Sequence, residues 1–376
     1  MLPGPGRRTE WDVIGNGHLR ALHAELTALG WSLYGVTAGE LLSPGDAAPA
    51  ACVTHIHWTE SLTLAAPQPL WVKLLTRFQT TAGRTRPHLL LERFARRLIR
   101  RIAARRPLIY QVHDLDSNWL EPARAHLLDR AFKLACLKEA HAWVIHEHSC
   151  LPLINRLAPP PPHVAVCPLG DYARFHGASI PRAAARQRFG WPERDLVFLY
   201  AGYSGARRNP AATLTAFLRL GDARARLIIA SRNSRHYLPD SPPRVHVHDA
   251  LLDNTTFRDL YCAADWIVMP GRDYLNSAVV RTALSYGRPV ICIDFGAQSE
   301  MARGAALWLR DDSAEAIHEQ LAHACAMPPP AYEAFARAAL ERNAERTWEQ
   351  TARNHTALVE QLLSSSPDAA STSLAR

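Results

Sequence analysis

The sequence predicts an α/β protein with doubly wound parallel sheets. Short apolar runs of strand length alternate with amphipathic helical patterns along nearly the whole chain, as in sheets whose strands are joined by crossover helices. The 376 residues are enough for two domains. The alternation begins afresh at Asp195, so we expect an N-terminal domain over 1–175 and a C-terminal domain of similar architecture over 176–345.

In the first half, leucines at helical spacing from Leu19 to Leu29 predict a helix that ends at Gly30. A strand over 31–36 is expected next. Further apolar runs predict strands at 51–57, 107–113, 142–146 and 164–168.

In the second half, a strand at 195–201, a helix at 209–219, strands at 225–230 and 244–248, and a helix at 254–263 are predicted in this order. Helical patterns then cover 313–326 and 331–363. We expect 346–363 to return to the N-terminal domain, and the small polar residues of 364–376 predict a disordered tail.

The segment from Asp265 to Asp294 carries the clearest sign of a ligand site. Ile267–Met269 suits a buried parallel strand, Asn276 is a favourable N-cap for a helix over 278–286, and Gly287 ends that helix. A further strand follows at 289–294. A polar loop that joins the carboxyl end of a strand to a helix N-terminus is where open α/β sheets hold anionic ligands.

Charge and composition narrow the function classes. The net charge of +8 favours an anionic partner, but homeodomain, zinc-finger, RRM and KH patterns are absent, which argues against nucleic acid. No apolar run approaches roughly 20 residues and the N-terminus lacks a secretory signal, so a cytoplasmic protein is expected. The seven cysteines are scattered and show no zinc-ligand spacing, so no metal is expected.

Six short stretches along the chain each match a motif of one enzyme group. They lie at 12–22, 53–60, 110–114, 144–148, 166–172 and 200–209. In this order they resemble bacterial GT-B glycosyltransferases that build exopolysaccharide and capsule repeat units, such as the glycosyltransferase family 4-like group and xanthan β-mannosyltransferase-like enzymes. The segment 265–294 resembles the donor-sugar site of the same enzymes.

The resemblance implies two facing Rossmann-like domains with a C-terminal helix crossing back. It implies transfer of a sugar from a GDP- or UDP-sugar, held by the C-terminal domain, to a glycan or lipid-linked acceptor held by the N-terminal domain. The nucleotide sugar is a substrate, and no cofactor or metal is expected, because cationic side chains and helix N-termini carry the diphosphate charge in this fold.

Some positions depart from the family pattern. Tyr274 and Thr282 stand where retaining members carry a pair of glutamates. Asn276-Ser277 resembles the Ser-Gly pair of the exopolysaccharide group with the xanthan β-mannosyltransferase type, which favours an inverting reaction. Leu169 replaces a histidine and Asp114 an asparagine. Two alternatives stay open: a binding or scaffold subunit that has lost catalysis, and a retaining transferase with an unusual donor loop.

Donor-side candidates lie beyond the carboxyl ends of three predicted strands. Small residues near Gly202 permit a tight turn, and the arginines that follow can contact phosphate, with a solvated arginine pair as the structural alternative. Asn276 and Ser277 can donate hydrogen bonds or merely cap a helix. The candidate donor-binding residues are Gly202, Ser204, Arg207, Arg208, Arg272, Asp273, Asn276, Ser277 and Glu300.

Acceptor-side candidates lie at strand ends in the first half. Four histidines are expected to face one cleft, at positions 55, 57, 113 and 146. An inverting transferase needs a base to deprotonate the acceptor hydroxyl. Asp114 is the first candidate and Glu60 the second, with Asp116 less favoured, so the catalytic candidates are Asp114, Glu60, His57 and His113.

The segment Phe94–Arg106 predicts a basic amphipathic helix. Its apolar stripe is flanked by arginines, which fits docking on an anionic membrane that holds a lipid-linked acceptor. Attachment at the inner face of the plasma membrane is the expectation from this pattern. A crossover helix with a charged outer face is the structural alternative.

Overall fold

The computed structural model describes residues 17–36, 38–42, 52–65, 72, 87–115, 123–202, 208–231, 242–271 and 275–365. The chain divides into two compact units, Met1–Pro168 with Trp348–Arg376, and Leu169–Thr347. The predicted disordered tail lies outside the described residues from 366 onward.

The first unit contains a parallel sheet in the order β1-β2-β3-β4. Its strands are β1 (Thr54–Ile56), β2 (Leu108–Gln111), β3 (Ala142–Ile145) and β4 (His163–Val166). Both faces of β2 and β3 are buried, which explains why their sequences are apolar without alternation.

The second unit contains a parallel sheet in the order β10-β9-β8-β5-β6-β7. Its strands are β5 (Leu196–Ala201), β6 (Ala225–Ala230), β7 (Val245–His248), β8 (Trp266–Met269), β9 (Val290–Ile293) and β10 (Ala306–Leu309). The strand order reverses between β5 and β8, which are neighbours. This is the switch point at which open α/β sheets bind ligands.

The helices among the described residues fill the connections between strands. They are α1 (Gly17–Ala28), α2 (Ala38–Leu42), α3 (Glu60–Ala65), α4 (Pro87–Ala103), α5 (Ala123–Glu139), α6 (Leu151–Asn155), α7 (Ala173–His176), α8 (Arg182–Phe189), α9 (Pro210–Leu218), α10 (Asn254–Ala263), α11 (Ala278–Ser285), α12 (Ala297–Met301), α13 (Ala314–Ala326), α14 (Pro329–Ala344) and α15 (Trp348–Ser364). The α/β class predicted from the sequence is confirmed.

The predicted strand over 31–36 was wrong. The structure has no strand there. Trp31 and Leu33 pack against the leucines of α1 and against Ala352 of α15, and Trp31 Nε1 donates a hydrogen bond to Thr356 Oγ1 at 2.9 Å. The alternation of apolar residues therefore reflects packing on two helices and not pairing in a sheet.

The helical pattern predicted over 331–363 forms two helices in the structure. Helix α14 ends at Ala344 and α15 begins at Trp348. The guanidinium of Arg281 donates hydrogen bonds to the carbonyls of Asn343 (3.0 Å) and Arg346 (3.1 Å). These carbonyls are thereby satisfied outside a helix, so the chain can leave the helical path at this point.

The helix after β8 is capped by Ser277, one residue later than predicted. Ser277 Oγ accepts a hydrogen bond from Val280 N at 3.2 Å, so the assignment of Asn276 as N-cap was wrong. Serine and asparagine both cap well, and two good caps in succession leave the helix start open to one residue of error.

In the described part of the chain, no helix combines the length and the apolar character that a membrane crossing requires.

Candidate functional site

The loops after β5 and β8 bring three donor-side features together at the switch point of the second unit. Gly202 follows β5 and has a φ of +105°, which favours glycine. A methyl group there would overlap the Arg208 guanidinium and lie 2.9 Å from Val279 Cγ2. Val279 belongs to the first turn of α11. Gly202, Arg208 and the N-terminus of α11 are therefore neighbours.

Arg208 is positioned by the start of α9. Asn209 caps that helix in the left-handed conformation with a φ of 45°, and its side chain accepts from Ala212 N at 3.2 Å. Asn209 Nδ2 donates to the carbonyl of Asp312 at 2.9 Å, and Tyr200 Oη donates to the carbonyl of Arg208 at 3.2 Å. These contacts fix the backbone from which the Arg208 guanidinium extends.

The N-terminus of α11 points its first backbone N–H groups toward the same edge of the sheet. Ser277 is buried, and its hydroxyl caps the helix and donates to Met269 Sδ at 3.4 Å. Helix N-termini carry partial positive charge and unsatisfied N–H donors. Beside Arg208, this makes the described part of the loop pair suited to an anionic group.

Of the other predicted donor-binding residues, the structure describes two. Asn276 and Glu300 are half-buried, Glu300 lying in α12 after β9. The remaining candidates, Ser204, Arg207, Arg272 and Asp273, lie outside the described residues. Sequence reasoning gave no role to Gln298, which is buried in α12 with neither side-chain atom hydrogen-bonded in the part of the chain that the structure describes.

The first unit contains a cluster of six histidines. Three lie at or just beyond the carboxyl ends of β1, β2 and β3, namely His57, His113 and His146, and His55 lies within β1. His18 of α1 and His355 of α15 join them. The rings of His57 and His113 are 5.6 Å apart at their centroids, and Trp58 stacks on His113 at 4.3 Å.

Three of these histidines form a chain of hydrogen bonds whose direction is fixed. His146 Nδ1 lies 3.0 Å from the carbonyl oxygen of Cys167, which can only accept, so His146 Nδ1 carries a proton. Neutral His146 therefore accepts at Nε2 from His113 Nδ1 (3.0 Å), and His113 Nε2 accepts from His57 Nδ1 (3.3 Å). The chain ends at His57 Nε2, a buried lone pair without a hydrogen-bond partner among the described residues.

Burial keeps these rings neutral. Desolvation, and then the neighbouring histidines, hold the pKa values of His18, His57 and His113 well below the usual 6.5. Burial lowers the pKa of His146 to about 4. Neutral imidazoles donate and accept hydrogen bonds, but they are weak proton acceptors near pH 7.

A buried lysine forms ion pairs with three carboxylates beside the histidine cluster. Lys133 of α5 contacts Asp114, and its Nζ lies 3.0 Å from Asp129 Oδ2 and 3.6 Å from Glu60 Oε1. Thr59 Oγ1 donates to Asp129 Oδ1 at 2.6 Å. Lys133 thus ties the end of β2 to α3 and α5.

The three carboxylates differ in access. The side chain of Asp114 is 20% exposed, whereas Asp129 is fully buried and both Glu60 oxygens are covered. Desolvation raises the pKa of Glu60, an effect that Lys133 opposes and Asp129 reinforces. Of the two predicted bases, Asp114 is therefore the one that a hydroxyl can approach.

The sequence identified four of the six clustered histidines. His18 and His355 were missed, as were Lys133 and Asp129. The last two had a signal, since they stand four residues apart on one face of a helix otherwise apolar on that side. His18 and His355 had none, because their partners are distant in the chain.

The basic segment Phe94–Arg106 lies largely within α4, and its apolar stripe is used in packing. Leu98, Ile99 and Ile102 are buried, and the helix packs on α5, where Phe94 contacts Phe132 edge to face at 6.4 Å. Arg96 and Arg100 pair with Glu139 of α5. The face that remains outside contains Arg93, Arg97 and Arg101.

The fold has known counterparts among solved structures. A sucrose-phosphate synthase from Thermosynechococcus elongatus matches with a TM-score of 0.61 at 16% identity, over 97% of this chain and 83% of that chain. HepE of Anabaena, solved in complex with UDP-glucose, matches with a TM-score of 0.54 at 14% identity, over 74% and 82%. These likenesses show that the chain has the GT-B fold of glycosyltransferases, as its resemblance implied.

A relative found by sequence comparison is also named as a glycosyltransferase. TuaC of Bacillus subtilis (strain 168), provisionally named a teichuronic acid biosynthesis glycosyltransferase, is 26% identical over 159 residues. The match covers 42% of this chain and 40% of TuaC, so the shared region spans less than half of the relative. No protein-family model matches the chain.

Proposed function

We propose that this protein is a glycosyltransferase that moves a sugar from a nucleotide-diphosphate donor to a glycan or lipid-linked acceptor in exopolysaccharide synthesis. The observation that carries the proposal is the meeting of Gly202, Arg208 and the N-terminus of α11 at the switch point of a GT-B domain. HepE, which has the same fold, was solved in complex with UDP-glucose. This complex supports a nucleotide sugar as the donor.

The charge at this point suits the leaving group of such a reaction. A nucleoside diphosphate departs with its negative charge concentrated on the phosphate oxygens. Arg208 and the backbone N–H groups of α11 supply cationic and dipolar donors that are in place before the bond breaks. Arg207 is proposed to act with Arg208, as the sequence pattern predicts.

Replacing Arg208 with Ala should weaken nucleotide-sugar binding by about 1.5–3 kcal/mol, because one charge-assisted hydrogen-bonding group is lost. Isothermal calorimetry with UDP-glucose, GDP-mannose and UDP-glucuronate measures this effect and identifies the preferred donor. The matched control is Arg219→Ala at the other end of α9, where the arginine pairs with Glu315 on the surface. Equal donor affinity in both variants would remove Arg208 from the site.

We propose an inverting reaction with Asp114 as the general base. Asp114 lies at the carboxyl edge of the first sheet, its side chain is 20% exposed, and Lys133 keeps it in place. Glu60 and Asp129 then position Lys133. At the position of the second family glutamate, Thr282 is buried and its hydroxyl donates to the carbonyl of Ala278 at 2.7 Å, which supports inversion.

We further propose that α4 attaches the protein to an anionic membrane. Leu89 and Leu90 are 59% and 45% exposed at its N-terminal end. Spacing of four residues aligns Leu89 with Arg93, Arg97 and Arg101 on the outer face. Two exposed leucines beside a row of arginines fit insertion at the headgroup level of an anionic bilayer.

Replacing Arg93, Arg97 and Arg101 with Gln should reduce binding to phosphatidylglycerol-containing vesicles roughly a hundredfold, from about 1 kcal/mol per arginine at the surface. Co-sedimentation measures the binding, which should also fall as salt is added, since exposed charges are screened.

The control removes the same charge elsewhere, by Arg219→Gln, Arg310→Gln and Arg337→Gln on the exposed surface of the second unit. An equal loss in this control, or equal binding of wild-type protein to pure phosphatidylcholine vesicles, would contradict a specific role of α4.

A further inference from the structure

We propose that His18, His57 and His113 bind a single divalent transition-metal cation of the Zn²⁺ type. One ring nitrogen from each residue can be chosen so that all three atoms lie within 4.8 Å of one another. The three side chains are 6%, 4% and 7% exposed. The inference replaces the expectation, drawn from sequence spacing, that the protein holds no metal.

The spacing of the rings is close to that of a coordination sphere. Zn–N bonds of about 2.0–2.1 Å place two ligand nitrogens of a tetrahedral site about 3.3–3.4 Å apart. His57 Nδ1 and His113 Nε2 are 3.3 Å apart. The plane of the His18 ring is at 69° to the ring of His57 and at 87° to that of His113, with centroids 6.1 Å and 5.3 Å away. A small rotation of His18 completes a three-nitrogen site.

Buried nitrogens in this group lack partners. Both ring nitrogens of His18 have no hydrogen bond among the described residues. An unsatisfied buried polar group costs about 1–3 kcal/mol, and native proteins rarely leave several such groups together. A cation bound between the three rings gives His18 the partner that the rest of the described structure does not supply.

The surroundings orient His113 as a ligand. The hydrogen bonds from His113 to His146 and from His146 to the Cys167 carbonyl leave His113 Nε2 unprotonated and directed at His57. Metal-binding histidines typically donate their other ring N–H to a neighbour in this way. Coordination through His57 Nδ1 requires only that the proton of neutral His57 moves to Nε2.

The donor set selects the class of metal. Three neutral imidazoles suit Zn²⁺ and its transition-metal neighbours, whereas Mg²⁺ and Ca²⁺ prefer oxygen ligands. The nearby carboxylates of Asp114, Asp129 and Glu60 are turned toward Lys133. Three protein ligands leave a fourth position for water or another small ligand.

The test is a metal titration of the full-length protein after removal of metals by a chelator. Zn²⁺ is added in competition with a chromophoric chelator, and Co²⁺ is added separately to record its visible spectrum. We expect one tight equivalent per chain, and Co²⁺ bands of the intensity typical of four- or five-coordinate nitrogen sites. These readouts do not depend on glycosyl transfer, so the metal site and the proposed function can fail independently.

His18→Ala should lower Zn²⁺ affinity at least tenfold, and it should fold, because neither His18 nitrogen makes a hydrogen bond to the residues that the structure describes. The matched control is His355→Gln, which changes a buried histidine of the same cluster outside the trio and should leave Zn²⁺ affinity unchanged. If His18→Ala does not fold, His57→Gln replaces it, and the Co²⁺ spectrum of wild-type protein decides the geometry. Wild-type affinity in the trio variants, or a weak octahedral Co²⁺ spectrum, would overturn the proposal.

Discussion

Asp114→Asn should lower the turnover of glycosyl transfer about 10²–10⁴-fold while donor affinity is unchanged, because a correctly placed general base contributes this much. Asparagine keeps the size of the side chain but cannot take the proton of the acceptor hydroxyl. Asp114 has the largest exposed fraction of the three carboxylates around Lys133, at 20% of its side chain. Transfer assays and calorimetry on the same variant, with the donor found by screening, measure the two quantities.

Glu60→Gln is the comparison for this result. Both Glu60 oxygens are covered, and Glu60 Oε1 faces Lys133 at 3.6 Å, so the substitution alters the support of Lys133 and should cost less than about tenfold in turnover. An equal loss in Glu60→Gln with full activity in Asp114→Asn would move the base to Glu60. Donor binding without any transfer in the wild-type protein would favour the binding-subunit alternative.

Most strands could be predicted because they are buried on both faces. Val268 in β8 and Val144 in β3 lie in continuous apolar runs of β-branched and aromatic residues bounded by polar or turn residues, a pattern typical of a covered parallel strand. Strand β10 (Ala306–Leu309) was not predicted. It is four residues long and follows α12 after a short turn, so its only signal is a brief apolar run that also suits a helix.

The histidine cluster shows the limit of sequence reasoning about sites. His57 and His113 could be predicted because both follow apolar strands, and the carboxyl ends of parallel strands meet at one edge. His18 lies on a helix whose apolar face already explains its position, and His355 is 244 positions beyond its partner Gln111. Such contacts are set by packing between distant elements, for which a single sequence holds no pattern.

The donor-binding residues were predicted only in part, because packing between distant elements also determines their positions. Gly202 was identified from the small residues after β5, but the reason for glycine is the close approach of Arg208 and Val279. A sequence can indicate a turn, but it does not show which side chain occupies the space that a missing Cβ leaves. The contact between Gly202 and α11 therefore emerged only from the structure.

Arg281→Met should lower the free energy of unfolding of the second unit by about 3–5 kcal/mol, because a buried donor that satisfies several buried carbonyl oxygens is removed. Arg281 is fully buried in α11. Its guanidinium donates to the Gly170 carbonyl at 2.9 Å, to the Asn343 side-chain oxygen at 2.6 Å, and to the Asn343 and Arg346 carbonyls at the end of α14.

Methionine fills similar space but leaves those carbonyls without a donor, at about 1–3 kcal/mol for each buried group, and removes a cation from a helix C-terminus. Urea unfolding, with hydrogen exchange to localise the loss to α11 and α14, measures the effect. The control Arg337→Met removes the same charge from the exposed face of α14 and should change stability by no more than about 0.5 kcal/mol. Equal stability of the two variants would show that the Arg281 network does not hold α14 in place.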